Sequence, residues 1–232
     1  MDGTLLTALA LIPALIFAIV FHEVAHGWTA LALGDPTAKE KRRLSLNPIR
    51  HVDPFGTLIL PGLLALAGAP VFGWAKPVPV VQQRLRNPRF GMMAVAAAGP
   101  LANLLMATLA ALAIGLLVRG GAPDAASVPG YLLLALTYFV LVNVFLAFFN
   151  LLPIPPFDGS HIVEGLLPRP LAQAYEKIRP VGFLLFFVLV ALSWYGPTSG
   201  FLGHLIGPPV DWMLGRFDAL AALVSGGAPT PA

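Results

Sequence analysis

The sequence predicts an all-α integral membrane protein: a polytopic helical bundle of about 4–6 membrane segments, with a re-entrant element and a short extended or β segment. Three observations predict it. Hydrophobic residues make up 57% of the 232 positions and charged residues only 11%, against roughly 25% charged in soluble domains. Several apolar runs approach or exceed the roughly 20 residues that cross a bilayer. The remaining charges are bunched, with twelve of the fourteen Lys and Arg residues in 34–57, 73–89 and 153–181.

The length fits one membrane-embedded domain over 1–224, with its core at about 8–170, and a flexible Gly/Pro/Ala-rich tail over 225–232. Cysteine is absent, so any metal must be held by His, Asp or Glu. The formal net charge of +3 belongs to the flanks of apolar segments. It reports topology, so the expected environment is a lipid bilayer, and no nucleic-acid partner is expected.

Each element follows in order. The first apolar run, Leu5 to Leu33, contains Pro13 and is ended by Gly34-Asp35-Pro36. It is not read as a signal peptide, because Asp2 stands where basic residues belong and the run continues into His22 and Glu23. A basic loop to Gly56 leads to a shorter apolar piece, Thr57 to Phe72. Gly73 to Val80 follows, with Pro77 and Pro79 suiting an extended edge or loop. Long apolar runs cover Phe90–Val118 and Tyr131–Leu152, the second ending in the proline-broken stretch Pro153 to Gly159. A mixed segment then leads to a further span, Val181 to Trp194. Beyond Gly207-Pro208-Pro209 a short amphipathic helix is expected over Val210–Val224.

The positive-inside rule puts the three basic loops in the cytoplasm. Two of them flank 57–72, so that piece should dip in and return; a full crossing that breaks the rule is the alternative. Re-entrant backbone is tolerated only where protein or water shields it, which points to a cavity.

The chemistry lies in Phe21-His22-Glu23-Val24-Ala25-His26. Helical positions i and i+4 share a face, so both imidazoles can bind one zinc ion, with Glu23 in reach of a zinc-activated water as general base. Such residues are costly in hydrocarbon; the bland reading, a polar helix end at the interface, does not need the two-histidine spacing. Catalytic zinc usually has three protein ligands. Asp158 is the choice for the third, because the charge pattern brings it to the same side and depth as the histidines. The competing reading of Asp158 is an ordinary Asp-Gly turn. His161, three residues on, is a rival ligand or a residue that supports one from behind. His51 and Asp53 could gate substrate, orient a ligand or cap a turn. His204 is read as interfacial. Asn103, inside an apolar span, either glues helices together or holds a substrate backbone or oxyanion.

In this respect the chain resembles the site-2 protease family of intramembrane zinc metalloproteases. The matching strings are His22-Glu23-Val24-Ala25-His26, then Gly99-Pro100-Leu101-Ala102-Asn103, then Asn150-Leu151-Leu152-Pro153 leading to Asp158-Gly159. The resemblance covers about residues 8 to 170 and looks like a minimal member without PDZ or CBS domains. It implies one Zn2+ per chain on His22, His26 and Asp158, with Glu23 as base. It also implies Asn103 near the site and Asn150 in support of the Asp158 loop, both candidates for substrate or oxyanion binding. The expected activity is hydrolysis of peptide bonds in membrane-protein substrates, single-span ones above all. The expected location is the bacterial cytoplasmic membrane, with the active site toward the cytoplasm. A membrane metal-ion transporter or metal-binding protein is the alternative. It leaves the position of Glu23 unexplained, and the outer halves of the spans are nearly uncharged. An inactive helix-binding scaffold is a third reading. The sequence carries no sign of oligomeric state.

Overall fold

The computed structural model describes residues 3–66, 73–195 and 200–227. It is all-helical, with no strand among the described residues. Among the described residues, three helices are long and apolar enough to cross a membrane: Thr4–Ala32, Pro88–Leu117 and Val128–Asn150. This is an integral membrane protein.

Helix α1 (Gly3–Ala32) continues through Pro13 and stops where Gly34 takes a φ of +108°, a conformation open to a residue without Cβ. The short α2 (Thr37–Glu40) and α3 (Leu60–Leu66) follow. Between them, a six-residue wide-turn helix over Pro54–Ile59 leads into the seven residues of α3. At about 1.5 Å per residue this piece is too short for a bilayer of about 30 Å. The backbone on its two sides lies close together: Trp74 N–H donates to Gly56 O (3.1 Å) and Lys76 N–H to His51 O (2.8 Å). Residues 67–72 of the expected 57–72 element, and 228–232 of the expected tail, lie outside the described residues.

Helix α4 (Pro88–Leu117) begins with Pro88 behind Asn87, whose side chain accepts from Phe90 N–H; α5 (Val128–Asn150) begins behind Ser127, which accepts from Gly130 N–H. Each cap satisfies one of the donors that a helix start leaves open. The three long helices pack against one another through small residues, among them Ala14, Ala18, Ala107, Ala110 and Ala111, all buried. In lipid such residues let backbones approach, which is where helix association gains most of its contact energy.

Beyond the end of α5 come α6 (Asp158–Leu166), α7 (Arg169–Glu176) and α8 (Gly182–Tyr195). Arg89, at the start of α4, donates to the carbonyls of Glu164 and Leu167 and so pins α6 across α4.

Two expectations are corrected. The final helix, α9 (Phe201–Ser225), runs through Pro208 and Pro209 instead of starting after them. Ile206 and Val210, on either side of the prolines, are buried in one core with Ala107, Phe217 and Ala221, and this packing holds both halves in line. Residues 73–81 form no β ladder. Pro77 and Pro79 lack donors, and the N–H groups of Val78 and Val81 are taken by carboxylates instead of a neighbouring strand.

Candidate metal centre

His22 and His26 sit one turn apart on α1 and are both buried. Asp158 opens α6, where Gly159 lets the chain fold onto the end of α5: a Cβ there would lie 2.2 Å from Leu151 O. The Asp158 carboxylate arrives 3.0 Å from His22 Nε2 and 3.3 Å from His26 Nε2. These three residues form the metal-competent cluster found among the described residues.

The far side of each imidazole decides what that cluster is. His22 Nδ1 lies 2.6 Å from Asn103 Oδ1. The orientation of that amide is set by its nitrogen, which donates to Ala18 O (3.1 Å) and to Asn143 Oδ1 (2.8 Å). Oxygen therefore faces the ring, and His22 Nδ1 carries the proton. His26 Nδ1 lies 2.7 Å from Val95 O, so it too is the protonated nitrogen. In the neutral rings both Nε2 atoms then present lone pairs to a buried carboxylate oxygen, Asp158 Oδ2. Three lone pairs facing one another repel unless a cation lies among them. Contacts of 3.0 and 3.3 Å match the edge of roughly 3.3 Å expected for a tetrahedron with metal–ligand distances of about 2.0 Å. The residues present fit a divalent ion.

Gly99 makes the arrangement sterically feasible. A Cβ there would fall 2.5 Å from His26 Cε1 and 2.6 Å from His22 Cε1, so both rings rest on bare α4 backbone. Pro100, Asn103 and Asn143 are wholly buried alongside. Asn143 was not singled out by sequence reasoning. Its one signal is an amide within an otherwise apolar run.

Glu23 Oε2 accepts from Val78 N–H at 2.6 Å. The segment bearing Val78 is itself fixed at both ends. Fully buried Asp35 accepts from Val81 N–H (2.6 Å) and from the backbone and hydroxyl of Thr37. The buried Arg43 donates to Lys76 O (2.6 Å). The donors from Thr37 and Val81 keep the Asp35 carboxyl below its ordinary range despite its burial. Neither Asp35 nor Arg43 was legible as part of the site; only the burial of charged loop residues could have flagged them.

Two cavities meet at Glu23. An apolar one of 290 Å³ lies between His22, Glu23, Trp74, Leu146, Phe149 and Phe186. A polar one of 300 Å³ includes His22, Glu23, His26, Val78, Asp158 and His161. Asn150 lines both, with its amide nitrogen donating to Leu146 O of its own helix. His161 lines the polar cavity outside the ligand cluster. Its burial, and then Arg179 beside it, lower its pKa to about 4. The structure does not bring His51 or Asp53 to the cluster: His51 Nε2 contacts Ser45 O (2.7 Å), and Asp53 caps the turn at Gly56 (2.7 Å). His204 contacts its own helix start at Gly200 O.

Fold and site thus define a helical membrane protein with a His–His–Asp cluster that could hold a metal ion, and a carboxylate beside it. A family model described as "Peptidase family M50" matches residues 122–190. The chain is 37% identical over 193 residues to a Bacillus subtilis (strain 168) protein named "Putative zinc metalloprotease YwhC", covering 82% of this chain and 85% of that one. It is 29% identical over 202 residues to a protein of Mycolicibacterium smegmatis (strain ATCC 700084 / mc(2)155) named "Putative zinc metalloprotease Rip2", covering 82% of this chain and 74% of that one. No solved structure gives a significant match. The chain belongs to peptidase family M50, the site-2 protease family.

Proposed function

We propose that this protein hydrolyses peptide bonds of transmembrane substrates at the His22–His26–Asp158 centre, with Glu23 as the proton carrier. The observation that carries the reading is the set of three converging lone pairs, with the opposite nitrogen of each imidazole already engaged. His22, His26 and Asp158 would hold one zinc ion, which supplies Lewis-acid chemistry, acidifying water and polarising a carbonyl.

The chain's own residues supply the remaining steps. Val78 N–H holds Glu23 Oε2, so the other carboxylate oxygen is available to the attacking water. Glu23 takes a proton from that water and returns it to the leaving amine. Water enters through the polar cavity, while the apolar cavity accepts a substrate side chain beside the scissile bond. A helical substrate must unwind locally to expose a carbonyl. The substrate class is a single-span membrane protein.

The bundle is read as 4–6 membrane segments, with 57–72 re-entrant on the side of the three basic loops. The contact of Trp74 with Gly56 supports that reading. The centre then faces the cytoplasm, and the bacterial relatives suggest the bacterial cytoplasmic membrane.

The test is cleavage of a panel of transmembrane peptides by purified protein in detergent, with zinc content measured in parallel. Glu23→Gln should keep zinc and lose cleavage, and His22→Ala should lose both. Cleavage that survives Glu23→Gln, or metal flux in vesicles without any proteolysis, would refute the reading.

A further inference from the structure

His161, Glu164 and Arg179 form a polar cluster on the inner side that the steps above leave unused. Arg179 Nη2 pairs with the Glu164 carboxylate and lies 3.3 Å from His161 Nδ1. A guanidinium can only donate, so Nδ1 is the lone-pair nitrogen of the ring. The single proton of a neutral His161 is then on Nε2. His161 also lines the polar cavity that holds Glu23 and Asp158. An Nε2–H ring cannot be a metal ligand through that nitrogen, consistent with its place outside the ligand cluster.

Peptide hydrolysis needs a donor where negative charge develops on the carbonyl oxygen. Asn103 cannot serve, because both of its N–H groups are engaged, by Ala18 O and Asn143 Oδ1. Asn150 has already committed one of its two to Leu146 O. His161 has its donor intact, on a ring that burial and the neighbouring cation keep neutral.

We propose that His161 is a catalytic residue, donating its Nε2–H to the substrate carbonyl oxygen as that oxygen becomes an oxyanion, with Arg179 as the positioning residue that sets its tautomer. The proposal rests on the hydrolase reading above. As the water oxygen adds to the carbonyl carbon, the C=O π pair moves onto oxygen and the hydrogen bond strengthens. When the C–N bond breaks, the pair returns and the bond relaxes. His161 keeps its proton throughout; the only proton carrier is Glu23.

Two measurements test this. In 15N-histidine NMR of the purified protein at neutral pH, His161 should be the Nε2–H tautomer, and Arg179→Met should mix the tautomers. In peptide cleavage, His161→Ala should lower kcat by roughly 100- to 1,000-fold, with KM and zinc content near wild type. His161→Gln, which restores an N–H donor, should recover part of the loss, and Arg179→Met should fall between. A protonated Nδ1 in the wild-type ring overturns the proposal whatever the activity. Wild-type kcat in His161→Ala overturns it alone, with the hydrolase reading intact. Zinc-loaded wild type that cleaves no peptide overturns both.

Discussion

Replacing Gly99 by alanine adds one methyl group where two imidazoles meet a helix backbone. The new carbon would stand 2.5 Å from His26 Cε1, 2.6 Å from His22 Cε1 and 2.6 Å from His26 Nε2. Carbon atoms in contact settle at about 3.5–4.0 Å, so the rings would have to retreat by about 1 Å. Metal sites keep their ligand distances within about 0.2 Å, and the rings cannot pivot freely, because Asn103 and Val95 O hold their Nδ1 atoms on the same helix. Alanine is meanwhile favoured over glycine within a helix by about 1 kcal/mol, so α4 itself should not suffer. Gly99→Ala should therefore lose zinc affinity by at least about 100-fold while keeping its helical content. Zinc competition against a chromophoric chelator in detergent, with circular dichroism alongside, measures both. Wild-type affinity in a fully helical variant would mean that the imidazoles do not rest on Gly99, and the geometry argued above would be wrong.

Three further expectations follow from the same packing. Asn103→Leu strands His22 Nδ1–H and Asn143 Oδ1 in a fully buried place; zinc affinity should fall about 10- to 100-fold and stability by about 1–3 kcal/mol, read by chelator competition and thermal melts. Asp35→Ala removes the acceptor of Val81 N–H and frees the segment whose Val78 holds Glu23; kcat should drop by roughly tenfold or more with zinc content unchanged, and an unaltered kcat would dismiss that segment as a support for the base. His161 resists protonation in the folded chain, its pKa falling from 6.5 to about 4, so the unfolded chain takes up the proton first. Its contribution is complete above pH 6.5 and lost as pH falls toward 4, up to about 3 kcal/mol; unfolding in detergent across that range should show a slope that His161→Gln removes.

Much of the site was legible because its main signal is local. His22 and His26 share a helix face through a four-residue spacing, and helical geometry is the same in any context. Asp158 was reachable through topology, since the clustering of basic residues set which span ends lie together. What the sequence leaves silent is the ring around those groups. Asn103 carried a signal, an amide in hydrocarbon, yet whether it faced substrate or a histidine depended on how α4 sits against α1. Asn143 joined it only because α5 packs at the same level. The prolines of α9 looked like a boundary in isolation; burial of Ile206 and Val210 on both sides carried the helix across them.

From the sequence alone came the membrane environment, the long spans, the order of the motifs and the paired imidazoles, all set by composition and by contacts within a turn or two of helix. The packed structure decided which nitrogen of each imidazole is bare, why Gly99 must lack a side chain, and how Asp35 and Arg43 steady the segment that meets Glu23. Those properties arise between residues distant along the chain, such as His22 and Asn103, 81 positions apart. A hydrogen bond needs its partners within about 3 Å and in line, and no local pattern specifies that; only the docking of one helix on another does.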